Sequence, residues 1–227
     1  VRLQELLAPL GYLPLTWPPA AGAAAPGPSA AAQLAAAYAP PAGTFQWRGG
    51  YPAQLRSFWA EGEANTIDRG AITGFEADRG LPIDGAAGAT VWNALLTAAA
   101  KDQRNPHGYS YAIASKGSPE RLTIWHNGKQ VFSSLANTGI PAAPTADGTF
   151  PVYEKLPFQI MSGTNPDGSH YADPVEWVSY FDGGDAVHYF DRGSYGWPQS
   201  LGCVELPYSA AKQAYPYLPY GTLVTVE

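Results

Sequence analysis

The chain has almost no sulfur and little charge: one cysteine, one methionine, and only 14 % Asp, Glu, Lys and Arg among 227 residues. A single cysteine, Cys203, excludes an internal disulfide and any Cys-x-x-Cys motif, and by itself leaves the compartment open. No basic cluster is present and the formal charge is −6 at pH 7, so no nucleic-acid partner is expected. The four histidines, His107, His126, His170 and His188, lack the i, i+4 spacing of a zinc-binding helix. No metal and no other cofactor is expected. From Leu6 to Trp47 not one residue is charged, a stretch long enough to raise the question of a membrane. Prolines at 9, 14, 18, 19, 26, 28, 40 and 41 interrupt it too often for a spanning helix, so the expectation is a soluble chain with no membrane span. The opening VRLQELLAPL lacks the apolar run of a signal peptide, and the start at Val1 reads as a processed or trimmed form.

What is plentiful points elsewhere. Hydrophobic residues make up 45 % and aromatics 13 %, ample for a core, while 25 Gly and 22 Pro demand many turns. That balance favours a β-rich, loop-rich protein over a helical bundle. The length suits one large domain or two small ones.

The first hundred residues carry helical periodicity. Leu3, Leu6, Leu7 and Leu10 share one face, with Gly11 placed to close the helix. Residues 18–43, PPAAGAAAPGPSAAAQLAAAYAPPAG, form a low-complexity insertion expected to be flexible or extended. YPAQLRSFWAEG predicts a short helix opening at Pro52 and closed by Gly62. A further helix is capped by Asn65 or Thr66, buries Ile67, Ala71, Ile72 and Phe75, and stops at Gly80. After the Asp84-Gly85 turn, Thr90 is a plausible cap for a last helix marked by Val91, Trp92, Leu95 and Leu96. By periodicity alone these stripes are a helical core. The run AITGFEADRGLPIDGAAGATVWNALL also resembles the peptidoglycan-binding repeat, a small three-helix unit found on secreted wall enzymes. The resemblance rests on Phe75, Gly80-Leu81, Asp84-Gly85, Gly88, Thr90, Trp92 and Leu95.

Residues 98–107 read as a linker, after which the pattern turns from helical to alternating. RLTIWHNGKQVFSSLANTG predicts two strands around a type I′ turn at Asn127-Gly128. Further strands are expected near 149–155, 174–181, 185–190 and 221–227, with one short helix from Ser209 to Ala214. Short strands at this spacing predict a sandwich or small barrel.

The chemistry centres on the single thiol. A lone cysteine is either a small buried hydrophobe or, with a base beside it, a nucleophile. A free thiol has a pKa near ~8.5, and an adjacent imidazolium lowers it by roughly 1 to 5 units. His107 lies in the linker, His126 beside the hairpin turn opposite Lys129, and His170 in a turn-rich stretch. His188 ends the apolar strand DAVH, a rigid platform, and the loop from 191 to 202 can return Cys203 to its side. Gly202 lets the backbone approach a substrate, and the amides of Gly202 and Cys203 are candidate oxyanion donors.

At these residues a second resemblance appears. HYF…SLGCVEL, with fourteen residues between His188 and Cys203, is similar to the L,D-transpeptidase (YkuD-like) signature: histidine, a variable loop, then Ser/Thr-x-Gly-Cys and Val or Ile. Ser200, Leu201, Gly202, Cys203 and Val204 occupy it. The hairpin at 121–139, PTADGTFPVY, and the segment SGTNPDGSHYADPVEWVSYF before the histidine resemble the same family, the last in its actinobacterial type. Two departures stand out: Tyr189 where glycine or serine often follows the histidine, and Glu205 where arginine is common two places after the cysteine. The resemblance implies an exported wall enzyme of mixed α and β structure. Residues 1–97 would be a three-helix peptidoglycan-binding-like domain, and 108–227 a mostly-β, sandwich-like catalytic domain. It implies Cys203 as nucleophile, His188 as base and then acid, and the Tyr189 main-chain carbonyl orienting the ring. Tyr171, Trp177 and Tyr180 would line the donor groove. The partners implied are peptidoglycan stem peptides and glycan, with carbapenem β-lactams as inhibitors; the product would be a 3→3 cross-link. An L,D-carboxypeptidase using the same pair, a non-catalytic wall-binding protein and a zinc peptidase are the alternatives weighed.

Overall fold

The computed structural model describes residues 1–24 and 26–227 and divides them into two compact units. One comprises Val1–Tyr109 with Asn127–Lys129, the other Ser110–His126 with Gln130–Glu227.

The first unit runs α1 (Arg2–Leu7), β1 (Leu15–Thr16), α2 (Ala30–Tyr38), β2 (Gln46–Trp47), α3 (Ala53–Ser57), α4 (Thr66–Arg79) and α5 (Ala89–Ala100). Helix α4 shows local chemistry setting the boundaries. The Asn65 side chain accepts the N–H of Asp68 at 3.0 Å, and Gly80, at φ 63, takes the left-handed turn that ends the helix. Its inward stripe of Ile67, Ala71, Ile72 and Phe75 is buried. From the same helix, the fully buried Glu76 accepts the N–H groups of Asp84 and Gly85 at 3.1 and 2.8 Å and so pins the following turn.

Three expectations need correction here. Among the described residues the unit carries five helices where a three-helix unit was expected: α2 forms inside the Ala/Pro-rich insertion, and the short α3 is the other addition. Alanine is the best helix former, and Ser29 caps the run by accepting the N–H of Ala32 at 3.1 Å. Buried Gln33 then takes a hydrogen bond from buried Arg2 of α1, which anchors the segment. Ala25, inside the insertion, lies outside the described residues. Helix α3 ends at Ser57, well before Gly62, and α5 starts at Ala89 behind Gly88 as N-cap, not behind Thr90.

The second unit is sheet-rich. Its elements are β3 (Ser110–Ser115), β4 (Arg121–His126), β5 (Lys129–Leu135), β6 (Gly148–Pro151), β7 (Glu154–Thr164), β8 (His170–Asp182), β9 (Asp185–Tyr189), β10 (Val204–Leu206), α6 (Tyr208–Ala214) and β11 (Leu223–Val226). Five strands form one sheet in the order β5-β4-β3-β11-β6, and four form another in the order β10-β9-β8-β7. Ala112, Leu122, Ile124 and Val224 of the first sheet meet Phe181, Val187, Val204 and Leu206 of the second in one buried cluster, joined by Ala210, Ala211 and Ala214 of α6. The β4–β5 turn has Asn127 at φ 48 and Gly128 at φ 77, the left-handed pair a type I′ turn requires.

The central strand β3 and the three-residue β10 have no alternating signature. Strand β3 is flanked on both sides and buried along nearly its whole length, so its pattern is continuous and not period-two. The stretch 162–170, expected as a turn-rich loop, keeps its turn at 165–169, while β7 and β8 pair up to Thr164 and His170 on either side of it. The antiparallel ladder carries Gly163 into the sheet, opposite Tyr171, despite its weak strand propensity.

Candidate active site

Strands β9 and β10 lie side by side and parallel, with Val187 opposite Val204 and His188 opposite Glu205. Residues paired in register share a face, and so do residues two apart along a strand. Cys203, two before Glu205, therefore falls on the face that carries His188, as its diagonal neighbour. The turn before the thiol is braced by Ser200, whose buried hydroxyl donates to the carbonyl of Cys203 at 2.6 Å and accepts the N–H of Gly202 at 3.2 Å. This corrects one expectation: the amide of Gly202 is committed to Ser200 and does not point at a substrate. What approaches Gly202 is the Asp185 side chain, so close that a Cβ at position 202 would overlap the carboxylate. With φ at 120 as well, only glycine fits.

His188 is buried, and its Nδ1 lies 2.8 Å from the carbonyl oxygen of Tyr189. A carbonyl can only accept, so Nδ1 carries the proton and neutral His188 keeps a lone pair on Nε2. His188 and Cys203 line the same cavity of about 780 Å³, together with Tyr171, Tyr180, Ser200 and Leu201. The other histidines are elsewhere: His107 pairs with Asp78 at 3.2 Å, His126 Nδ1 meets Ser110 Oγ at 3.0 Å, and His170 Nδ1 meets Thr164 Oγ1 at 3.2 Å.

Trp177 is not in the cavity, against expectation. Between the pairs Glu176–Tyr189 and Ser179–Val187, β8 advances three residues while β9 advances two, the mark of a β-bulge. The bulge, with Trp177 at φ 59, switches the strand's parity. Val175 and Tyr180 thus share the cavity face, while Trp177 turns to the other side and packs on Tyr208 and Tyr215 at ring distances of 6.4 and 5.7 Å.

The family model of the L,D-transpeptidase catalytic domain, YkuD, matches residues 109–226, over half of the chain. The chain belongs to this family. Among solved structures, an L,D-transpeptidase from Mycobacterium smegmatis is 25 % identical over 52 % of this chain and 58 % of its own, with a TM-score of 0.48. The catalytic domain of an E. faecium L,D-transpeptidase is 28 % identical over 52 % of this chain and 96 % of its own, with a TM-score of 0.47, and a structure of that domain acylated by ertapenem also matches. L,D-transpeptidase 3 from Mycobacterium tuberculosis is 22 % identical over 53 % of this chain and 62 % of its own, with a TM-score of 0.48. The chain thus spans less than two thirds of the length of the mycobacterial proteins it matches. No curated protein matches it.

In this YkuD domain the electrostatics differ from a resting thiolate–imidazolium pair. Burial pushes the Cys203 thiol up to about 12, and the nearby charges of Asp185 and Glu205 push the same way, although an N–H from Ala186 opposes them. Burial also holds His188 below its usual 6.5, against the raising effects of the Tyr189 carbonyl and Glu205. Both groups are neutral at pH 7. The thiol donates weakly to the carbonyl of Gly184 at 3.9 Å.

Two residues near the thiol carry no signature that spacing could reveal. Arg192, on the loop after β9, makes a two-pronged ion pair with Glu205 at 2.8 and 2.7 Å and also donates to the carbonyl of Gln199 at 3.0 Å. Glu205, anomalous when read from the motif, is therefore neutralised by a cation thirteen residues earlier. Asp185 is the second. Among the described residues no group of His, Cys, Asp and Glu is arranged to hold a metal ion, and no helix is long and apolar enough to cross a membrane.

Proposed function

We propose that the protein is a peptidoglycan L,D-transpeptidase that forms 3→3 cross-links through a thioester on Cys203. The observation that carries the reading is that the chain's sole thiol, immediately before β10, and an oriented, neutral imidazole on the adjacent β9 line one cavity. In this reading Nε2 of His188 takes the thiol proton as sulfur attacks the carbonyl of the third stem residue, a concerted route because the resting thiol is not ionised. The C–N bond to the terminal D-alanine then breaks, and the imidazolium returns the proton to the departing amine. The Tyr189 carbonyl holds the ring through both transfers, as a carboxylate does in a Ser-His-Asp triad. Tyr171 and Tyr180 flank the donor, and the Ser200–Gly202 turn presents the sulfur. The thioester is finally taken by the side-chain amine of a diamino acid on a second stem, with no cofactor.

The remaining expectations join this proposal: export to the cell wall, residues 108–227 as the catalytic part, and residues 1–97, joined by 98–107, as a module that engages glycan. Carbapenems are expected to acylate the same sulfur. The test is intact-mass measurement after exposure to a carbapenem, beside incubation with donor and acceptor stem peptides. One adduct per native chain, none on Cys203→Ala, and cross-linked dimers lost in that variant are the expected results. An adduct that persists in Cys203→Ala defeats the nucleophile assignment; free D-alanine without dimers makes the enzyme an L,D-carboxypeptidase.

A further inference from the structure

The cavity holds two carboxylates close enough to act on the thiol, and they are in opposite condition. Glu205 is buried and doubly bonded to Arg192. Asp185 lines the same cavity, is partly accessible, and among the described residues forms neither an ion pair nor a side-chain hydrogen bond. It follows Gly184, whose carbonyl is 3.9 Å from the sulfur, and its oxygens lie over the Cα of Gly202, one residue before Cys203. An unpaired negative charge beside a nucleophilic sulfur is unfavourable in the empty enzyme: it opposes ionisation of the thiol, and burial and Asp182 raise its own affinity for protons to about 6. Such a placement has a chemical use if a cation arrives with the substrate.

We propose that Asp185 is a specificity residue that docks a primary ammonium group of the substrate beside the Cys203 sulfur. This rests on the transpeptidase reading, in which both stems carry a diamino acid. On the acceptor side the docked ammonium yields the attacking amine: the N–C bond forms, the C–S bond breaks, one ammonium proton ends on sulfur and another reaches solvent through His188. On the donor side the same carboxylate would instead hold the side-chain ammonium of the third residue. The charge is shared chemistry; the step affected tells the two apart.

The experiment uses Asp185→Asn in the full chain, with two assays. Release of D-alanine is followed from a tetrapeptide donor with a free side-chain ammonium and from the same donor N-acetylated there. Thioester transfer is followed to a diamino-acid tripeptide and to hydroxylamine, which is largely uncharged at neutral pH. The expected result is a KM about 10-fold or more higher for the ammonium-bearing partner in one of the two assays. Because loss of the charge also eases ionisation of the thiol, the readout is the ratio of charged to uncharged partner: any change common to both cancels, and a merely structural Asp185 would leave that ratio unmoved. Equal loss with charged and uncharged partners, or no loss with either, overturns the proposal. Failure of the native enzyme to form the carbapenem adduct would instead strike the transpeptidase reading itself.

Discussion

At Cys203 and His188 the surroundings decide the protonation states, and these decide how the pair can work. Both pKa shifts share a first cause, desolvation, and both favour neutral forms. Native Cys203 should therefore react with iodoacetamide more slowly than free cysteine at pH 8, and a rate equal to or above free cysteine would contradict a neutral resting thiol. Because His188 titrates below 6.5, the acid limb of carbapenem acylation should have its midpoint below that value. Protonation blocks the base, so the rate falls as pH drops through the folded-state pKa. His188→Gln should lower the acylation rate by about 10²–10⁴-fold at neutral pH. The motif spacing made this pair visible. It could not reveal Arg192 or Asp185, since nothing about an arginine four residues or an aspartate three residues from a histidine marks it as a neighbour of sulfur.

Among the elements, capping signals were legible and strand parity was not. Asn65 and Gly80 delimit α4 by purely local hydrogen bonding and backbone geometry. Trp177 was misplaced because a bulge in β8 reverses inside and outside partway along the strand, and alternation presumes an unbroken ladder. Helices α1 and α4 are joined by a buried polar contact, Gln4 Nε2 to Asp68 Oδ2 at 2.8 Å. Burial raises Asp68 from 3.8 to about 6, so between those values the folded state holds a proton that the unfolded chain releases. Stability from this group accordingly rises as pH falls through 6 and levels off below 3.8. Thermal unfolding of the first unit, followed from pH 7 to pH 4, should show this gain, and Asp68→Asn should flatten it. An unchanged slope in that variant would assign the pH dependence elsewhere.

Over the whole molecule, the second unit depends on the core its two sheets share. Leu206 is fully buried there, on the strand that leads away from the thiol. Leu206→Ala should cost about 2–5 kcal/mol in urea unfolding, with the m-value unchanged if the fold is preserved. A cost under 1 kcal/mol would mean that the two faces do not depend on this contact. What the residues alone determined was a helical first part and a strand-rich second part, the capped helices, the type I′ hairpin and the family resemblance around His188 and Cys203. All of these reside in short-range patterns, where hydrogen-bond period and side-chain type act within a few residues. Tertiary structure alone decided that β3 is the buried centre of a sheet, that the alanine-rich insertion forms a docked helix, and that Trp177 leaves the cavity. It also decided that Glu205 has a cation while Asp185, among the described residues, has none. These outcomes turn on which distant segments exclude water from one another, and charge, burial and strand parity are set by those neighbours in space.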